Sequence, residues 1–310
     1  MTATEMTQRP VWRQIGPYAV SSELFMDVIF TEACNCSCPY CIARTQGHAV
    51  PDRVRWEAAL EDAFRLFPIR SLILLGGEAT VDPQFREKLE RLSEYARRYP
   101  LEQMILTTNG IRLAEPEFLE IILDSPITAV NLSRMHHDQA VNDAAFGRQT
   151  PTRAQIREIR ERLRARGKTL RLNANVWRGN LDTPEELERF VAEFSGCCDA
   201  VKFSPLMDTE MFGTVPSVRE FTKRHAIADE EIRQLYDRFA GRHSVLRVNG
   251  NVLGFVQYAE LSVDGQRVIL KYAQVEDKYD RDRVIPTLKL YPNGCLSNEW
   301  SYQKDVRSAL

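Results

Sequence analysis

Four cysteines lie close together in the chain, at Cys34, Cys36, Cys38 and Cys41. Thiolates are the usual ligands of iron–sulfur clusters, and a short loop can supply several of them. Three ligands from Cys34, Cys38 and Cys41 would leave one iron of a [4Fe–4S] cluster open to chelate a small molecule, whereas four thiolates would make an electron carrier. We expect Cys36, between two ligands on a tight loop, to point away and pack.

A structural zinc site is the main alternative for these cysteines. Such sites favour two separate C-x-x-C pairs. This chain has one such pair, Cys38 and Cys41, with no second Cys/His pair nearby, and its total of 7 cysteines is odd, which fits poorly with a disulfide framework. The spacing favours a cluster, and a non-catalytic zinc or Fe–S binding module stays open as the alternative.

The cysteines follow the first of six predicted strand–helix units. Apolar positions spaced by three or four residues predict a helix in each unit. Strands and helices in alternation form a parallel sheet with right-handed crossovers. Six units rather than eight predict an α/β fold, a partial (β/α)6 TIM-like barrel with its active site at the carboxyl ends of the strands. The six strands are Leu24–Phe30, Leu72–Leu75, Met104–Thr107, Ile127–Leu132, Leu170–Trp177 and Val201–Ser204.

The pattern divides the chain into three parts. Residues 1–20 form a poorly ordered arm, whose polar beginning lacks the apolar core of a signal peptide. Residues 21–242 form the barrel. Residues 243–310 form a small C-terminal β-rich extension that caps the barrel, with a tight hairpin turn at Asp264-Gly265. Its predicted strands are Val245–Val256, Tyr258–Val263, Arg267–Tyr272 and Leu288–Tyr291.

The spacing C-x3-C-x2-C, with Tyr40 just before the last cysteine, resembles the signature of the radical SAM superfamily. The resemblance implies that Cys34, Cys38 and Cys41 hold the [4Fe–4S] cluster and that S-adenosylmethionine binds the open iron with Tyr40 beside the adenine. An external reductant such as flavodoxin or ferredoxin would supply the electron for cleavage of the cofactor. The 5′-deoxyadenosyl radical would then take a hydrogen atom from the substrate.

A second motif, Gly76-Gly77-Glu78, ends the second strand and resembles the G-G-E element of the same superfamily. Two glycines let the backbone approach a ligand closely, and a carboxylate suits the amino group of the methionine. Ala79 stands where the superfamily usually has a proline. The resemblance places all three motif residues in the binding of S-adenosylmethionine.

Two further strands carry polar residues that resemble cofactor ligands of the superfamily. Ser133 ends the fourth strand, where members often present a residue to the ribose or carboxylate. The stretch Leu172–Gly179, on the fifth strand and just after it, is similar to an N-x-V-x-R-G stretch. This similarity implies that Asn173 binds the ribose and that Arg178 binds the carboxylate.

Several residues outside these motifs are candidates for the substrate. His136 and His137 follow the fourth strand and could bind a substrate hydroxyl or phosphate, act as acid or base, or lie in a solvated loop. Asn175 shares one strand face with Asn173 because side chains alternate along a strand. Lys202 and Ser204 share a face of the sixth strand and could reach the substrate, although Lys202 could equally be a charge at the rim.

The C-terminal segment around Cys295 resembles the start of an auxiliary-cluster domain, but no cysteine follows Cys295. We therefore expect a single cluster. Some radical epimerases quench a substrate radical with a thiol hydrogen atom, and Cys295 could have that role. It could also be a small buried residue.

Composition restricts the class of partner. The chain is 44% hydrophobic and 27% charged, with a net charge of −2, so it has no basic excess for nucleic acid. No run approaches the roughly 20 apolar residues of a membrane span, and we expect a cytoplasmic enzyme.

The expected substrate is a small polar metabolite (a sugar, aminoglycoside or nucleoside) that undergoes epimerisation, dehydration or dehydrogenation. Modification of a peptide precursor is the alternative.

Overall fold

Strands and helices alternate along most of the computed structural model, which describes residues 11–45, 47–207, 213–250, 257–272, 280 and 282–310. The strands are β1 (Trp12–Ile15), β2 (Tyr18–Ile29), β3 (Ile69–Leu75), β4 (Gln103–Thr108), β5 (Ala129–Ser133), β6 (Thr169–Val176), β7 (Ala200–Pro205), β8 (Ser244–Gly250), β9 (Gln257–Val263), β10 (Gln266–Lys271), β11 (Val284–Leu290) and β12 (Leu296–Ser297). The α-helices are α1 (Arg53–Leu66), α2 (Phe85–Arg98), α3 (Pro116–Leu123), α4 (Gln139–Phe146), α5 (Arg153–Ala165), α6 (Pro184–Glu193), α7 (Pro216–His225) and α8 (Asp229–Ala240).

Strands β2 to β7 lie side by side in chain order, and each neighbouring pair is parallel. Each of the six strands is followed by at least one helix, and α7 and α8 follow the last strand, β7. The sheet continues from β12 to β8 without closing on itself. The predicted α/β fold, a partial (β/α)6 barrel, is confirmed.

The strands after residue 243 extend this sheet at both of its edges. β11 pairs in parallel with β2, and β10 pairs in parallel with β7, after which β9 and β8 continue in antiparallel fashion. Without these partners, β2 and β7 would expose unpaired backbone groups along their edges. The C-terminal segment therefore extends the barrel sheet at both of its edges. Residues 251–256 of the predicted strand Val245–Val256 lie outside the described residues.

The N-terminal segment also joins the sheet. β1 pairs with β2 in antiparallel register, with Trp12 opposite Ser21. Residues 11–20 of the expected arm therefore contain β1 and the start of β2, because these two segments pair with each other. Residues 1–10 lie outside the described residues. Among the described residues, no helix has the length and apolarity needed to cross a membrane.

The two faces of the sheet have different side chains. On β6, alternate residues pack into the main core against the apolar side of α5. The intervening residues therefore lie on the opposite face, which we call the inner face. The buried set is Leu170, Leu172, Ala174 and Val176, and the inner-face set is Arg171, Asn173 and Asn175. The helices thus position a row of polar side chains inside the barrel.

Candidate active site

The cysteines lie in the loop between β2 and α1, at the carboxyl end of the first barrel strand, and none forms a disulfide. Hydrogen bonds from the Cys36 thiol lower the pKa of Cys34 to about 7 and also lower the pKa of Cys38. Burial raises the pKa of Cys41 to about 12, and the charges of Cys38 and Cys34 add to this effect. The Cys36 thiol therefore faces Cys34 and Cys38, so the expectation that it points away from them is wrong. Three soft sulfur donors on one short loop fit a [4Fe–4S] cluster.

The Gly76-Gly77-Glu78 segment packs directly against the chain that leads into the cysteines. The backbone N–H of Gly77 donates to Thr31 O at 2.8 Å, and the N–H of Glu78 donates to Ala33 O at 2.9 Å. A Cβ atom on either glycine would overlap the backbone of residues 31–33. The glycines are required because two backbone segments touch here.

The carboxylate of Glu78 is buried and accepts four hydrogen bonds. Its Oε1 accepts from the backbone N–H of Thr80 at 3.2 Å, from Thr80 Oγ1 at 2.6 Å and from Thr108 Oγ1 at 2.7 Å. Its Oε2 accepts from the backbone N–H of Asn109 at 2.7 Å. Glu78 therefore joins the end of β3 to the end of β4.

Asn109 continues this network to the cysteines. Its Nδ2 donates to Asn35 Oδ1 at 2.7 Å and lies 3.4 Å from Cys36 Sγ. No motif in the sequence singled out Asn109. The signal that could have found it is its place immediately after a barrel strand, in the same position that Gly76 has after β3.

The end of α4 contacts the cysteine loop from another side. The Ser37 N–H donates to Phe146 O at 3.0 Å, and Arg148 Nη1 donates to Asn35 O at 3.0 Å. Gly147, at φ +67°, ends the helix so close to the loop that a Cβ there would overlap Ser37 Oγ. This helix therefore fixes the backbone between Asn35 and Ser37.

Tyr40 lies in an aromatic group beside the cysteines. Its ring stacks on Trp177 with centroids 5.0 Å apart and also contacts Phe221. The buried hydroxyl of Tyr40 lies beside the Cys38 thiol. Burial raises the pKa of Tyr40, and the charge of Cys38 and a hydrogen bond to it add to this effect.

The inner face brings together the polar residues predicted on three strands. Ser133 lies opposite Asn173, Asn173 lies opposite Lys202, and Asn175 lies opposite Ser204 in the register of β5, β6 and β7. Because these strands are parallel, their carboxyl ends share the rim at which the cysteine loop lies. Asn175 and Ser204 are nearest to that rim.

The sequence model of the Radical SAM superfamily matches residues 28–191. The chain belongs to the radical SAM superfamily. It is therefore an enzyme whose cofactors are a [4Fe–4S] cluster and S-adenosylmethionine, and it requires a substrate and a reductant.

Solved structures similar to this radical SAM chain share its fold at low identity. SuiB of Streptococcus suis bound to S-adenosylmethionine has a TM-score of 0.62 and 15% identity, over 93% of this chain and 66% of SuiB. SuiB bound to its precursor peptide SuiA has a TM-score of 0.59 at 15% identity, over 92% and 64%. The enzyme anSMEcpe with bound AdoMet and Kp18Cys peptide has a TM-score of 0.51 at 14% identity, over 71% and 60%. The chain thus spans less than two thirds of these proteins. No curated protein matches it.

Arg178 is the remaining residue that the radical SAM resemblance singled out. Arg178 Nη2 forms an exposed ion pair with Glu231 Oε2 of α8 at 2.8 Å. Its backbone N–H donates to His225 O at 2.7 Å. In this arrangement the guanidinium of Arg178 is already engaged by a carboxylate of the protein.

The rings of His136 and His137 stack on each other and face Glu186 of α6. His136 Nε2 and His137 Nδ1 lie 3.7 and 3.6 Å from Glu186 Oε2. Burial and the neighbouring His137 lower the pKa of His136. His136 Nδ1 accepts from the backbone N–H of Asp138 at 3.0 Å, so the neutral ring carries its proton on Nε2. A protonated nitrogen cannot ligate a metal, and this contact therefore favours a hydrogen-bonded cluster over a metal site.

Cys295 is buried in a small apolar group with Ile29 and Tyr291, next to Leu75. Burial raises the pKa of its thiol to about 12, and its Sγ donates to Lys304 O at 3.5 Å. Ile29 and Leu75 are the last residues of β2 and β3. Cys295 is thus a protonated thiol near the carboxyl ends of these strands.

Proposed function

We propose that the chain is a radical SAM enzyme that abstracts a hydrogen atom from a small polar metabolite such as a sugar, aminoglycoside or nucleoside. Epimerisation, dehydration or dehydrogenation would follow. When bound, the [4Fe–4S] cluster supplies the electron that cleaves S-adenosylmethionine to the 5′-deoxyadenosyl radical. The electron would come from an external reductant such as flavodoxin or ferredoxin.

The observation that carries this proposal is the polar row on the inner face. Asn173, Asn175, Lys202 and Ser204 occupy two neighbouring strands in register, within the barrel and below the rim. Apolar residues usually fill the inside of a barrel. A polar row supplies hydrogen-bond donors and acceptors for a ligand rich in hydroxyl groups.

The loops after β2 and β3 carry the residues that would hold the cluster and the methionine part of S-adenosylmethionine. Cys34, Cys38 and Cys41 would hold the cluster, and the Gly76-Gly77-Glu78 segment would present its backbone to the methionine amino group. The carboxylate of Glu78 would act indirectly, since its four hydrogen bonds hold the ends of β3 and β4. Tyr40 would lie near the adenine.

Ser133 and Asn173, opposite one another on β5 and β6, would bind the ribose or carboxylate of S-adenosylmethionine. Arg178 could join them only by exchanging its ion pair with Glu231. For the substrate, Asn175, Lys202 and Ser204 are the proposed contacts. His136 and His137, which face Glu186, would at most shape the rim, and Cys295 remains a candidate hydrogen-atom donor through its protonated thiol.

Modification of a peptide precursor is the second candidate. SuiB bound to SuiA and anSMEcpe with a bound peptide have a related fold. Strand β8 also lies at the end of the sheet and exposes Val245, Leu246 and Val248. A peptide could add to such an edge as a further strand.

Deuterium transfer separates these two candidates. A cell extract from the native host grown in deuterium oxide is divided into a fraction of small metabolites and a fraction of peptides. Each is incubated anaerobically with reconstituted enzyme, S-adenosylmethionine and dithionite. We expect deuterium in 5′-deoxyadenosine only with the small-metabolite fraction. Deuterium that appears only with the peptide fraction would overturn the proposal in favour of the second candidate.

A further inference from the structure

Two basic residues, Arg171 and Lys202, lie on the inner face of the barrel. Arg171 lies on β6, two residues before Asn173, and Lys202 lies on β7 opposite Asn173. Arg171 Nε donates to Asn173 Oδ1 at 2.9 Å, which fixes one side of the guanidinium. The other donors of Arg171 are free of hydrogen bonds to the described residues. The two side chains therefore share one region of the barrel interior.

Neither residue forms an ion pair with any carboxylate in the part of the chain that the structure describes. Lys202 Nζ lies 5.2 Å from the centre of the Tyr258 ring, a cation–π contact that supplies no opposite charge. Burial lowers the pKa of Lys202 to about 7, with further contributions from Arg171 and Lys271. Burial also lowers the pKa of Arg171.

Other shielded basic residues of the chain contact a carboxylate or a carbonyl or, in the case of Lys289, the hydroxyl of Thr287 at 3.0 Å. Lys88 Nζ contacts Asp82 Oδ2 and Phe30 O at 2.6 and 2.7 Å, and Lys168 Nζ donates to two backbone carbonyls at 2.6 Å. Even the exposed Arg267, on the same sheet, pairs with Glu260 at 2.8 Å. A shielded cation normally has such a partner because desolvation without one is costly. Lys202 has neither carboxylate nor carbonyl partner among the described residues.

We propose that Arg171 and Lys202 form a subsite that binds an oxyanion of the substrate, a phosphate ester or a carboxylate. The proposal rests on the proposed function and narrows its substrate to an anionic metabolite. The planar fork of an arginine matches two oxygens of such a group, and a lysine adds a point charge.

The depth of the subsite fits a small substrate. Asn175 and Ser204 lie two residues nearer to the rim than Asn173 and Lys202. Two residues of strand span about 7 Å, which is the length of one sugar ring. The oxyanion would thus lie deep in the barrel, and the body of the metabolite would reach upward along Asn175 and Ser204 toward the cysteine loop.

Anion binding to the reconstituted holoenzyme tests this subsite. Glucose 6-phosphate and glucuronate are titrated separately by anaerobic calorimetry, with saturating S-adenosylmethionine and no reductant, so that the carboxylate of the cofactor does not compete. We expect saturable binding of one of the two, which identifies the phosphate or the carboxylate. Lys202→Met and Arg171→Gln should each weaken this binding at least about tenfold, because each removes a charged hydrogen-bond donor.

The matched control is Arg267→Gln, which removes a nearby cation that is already paired with Glu260. It should change the affinity less than twofold. Absence of saturable binding of both anions to the wild type, or an equal loss in the control, would overturn the subsite. A melting temperature that rises in Lys202→Met supports a ligand-binding lysine, whereas a fall together with retained anion binding would show a structural one.

The same preparations distinguish this inference from the function on which it rests. Formation of 5′-deoxyadenosine by the wild type with dithionite reports on the radical chemistry and requires no added anion. If that product forms and neither anion binds, the subsite is wrong and the enzyme class stands. If no product forms, the proposed function fails whatever the calorimetry shows.

Discussion

Asn109 at the end of β4 donates its side-chain amide to Asn35 in the cysteine loop, with Nδ2 and Oδ1 2.7 Å apart. Neither residue is a cysteine, and the two are far apart in sequence. The backbone of Asn109 is in turn held by Glu78. The loop that carries the cluster ligands is therefore positioned by the ends of the next two barrel strands, and not by its own sequence alone.

Removal of this contact should loosen the cysteine loop. Asn109→Ala eliminates the hydrogen bond to Asn35 and the contact with Cys36 Sγ. We expect the free energy of unfolding to fall by about 1–2 kcal/mol and iron retention to fall on dilution. Iron per chain and urea unfolding are the measurements. Asn293→Ala, which removes a turn hydrogen bond to Cys295 N, serves as the control and should retain its iron. Equal iron loss in both variants would contradict the assigned role.

Replacing the carboxylate of Glu78 with an amide should destabilise the protein. Glu78→Gln keeps the shape of the side chain but turns one acceptor oxygen into a donor that faces existing donors. The free energy of unfolding should decrease by about 1–3 kcal/mol, because at least one buried hydrogen bond is lost. Chemical denaturation of the protein without cluster measures this change. An unfolding midpoint equal to that of the wild type would show that the four contacts of Glu78 are dispensable.

The approach of α4 to the cysteine loop can be tested with two glycines of similar backbone conformation. Gly147 and Gly167 have φ angles of +67° and +69°. A Cβ at Gly147 would overlap Ser37 Oγ, whereas nothing lies within 4 Å of a Cβ at Gly167. Both alanine variants should lose about 1 kcal/mol of stability from backbone strain. Only Gly147→Ala should also lose iron. Comparable iron content in the two variants would mean that the contact with Ser37 does not matter.

The partly buried charge of Lys202 predicts a dependence of stability on pH. Its pKa of about 7 in the folded protein lies below the ordinary value of 10.5. Between these values the unfolded chain binds a proton that the folded chain does not, so this residue makes stability rise with pH across the window. Below about pH 7 both states carry the charge and the penalty is complete.

Lys202→Met removes that penalty. The gain in melting temperature over the wild type should be largest near pH 6 and should shrink as the pH rises toward 10. Of the groups that face Lys202, Tyr258 has a pKa raised by burial, and the guanidinium of Arg171 is charged at all these pH values. Melting curves in buffers without phosphate measure the difference. A gain that is independent of pH would show that Lys202 is not buried as a cation.

Much of the fold could be predicted because its signals are local. Alternating and helical apolar patterns located all six barrel strands, and the cysteine spacing fits in one loop. The pairing of β10 with β7 and of β11 with β2 could not be read from the sequence, because the partners are distant along the chain. The short helices α4 and α7 were also missed. Each has few buried positions, so the apolar period is weak.

The sequence motifs single out candidate ligands but not the residues that hold the cysteine loop in place. Asn173 and Asn175 were placed on one face by the two-residue period, and the same period extended by one step would have included Arg171. The contacts of Asn109 and Arg148 with Asn35 depend on loop conformation, which no spacing reveals. The ion pair of Arg178 with Glu231 likewise depends on where α8 packs.

The most direct test of the central claim is the cleavage of S-adenosylmethionine by anaerobically reconstituted protein with dithionite. We expect a brown protein with about four irons per chain that releases 5′-deoxyadenosine. We also expect that Cys38→Ala yields neither full iron content nor product, while Cys36→Ala retains both. A colourless wild-type protein that binds a single zinc ion and leaves S-adenosylmethionine intact would contradict it.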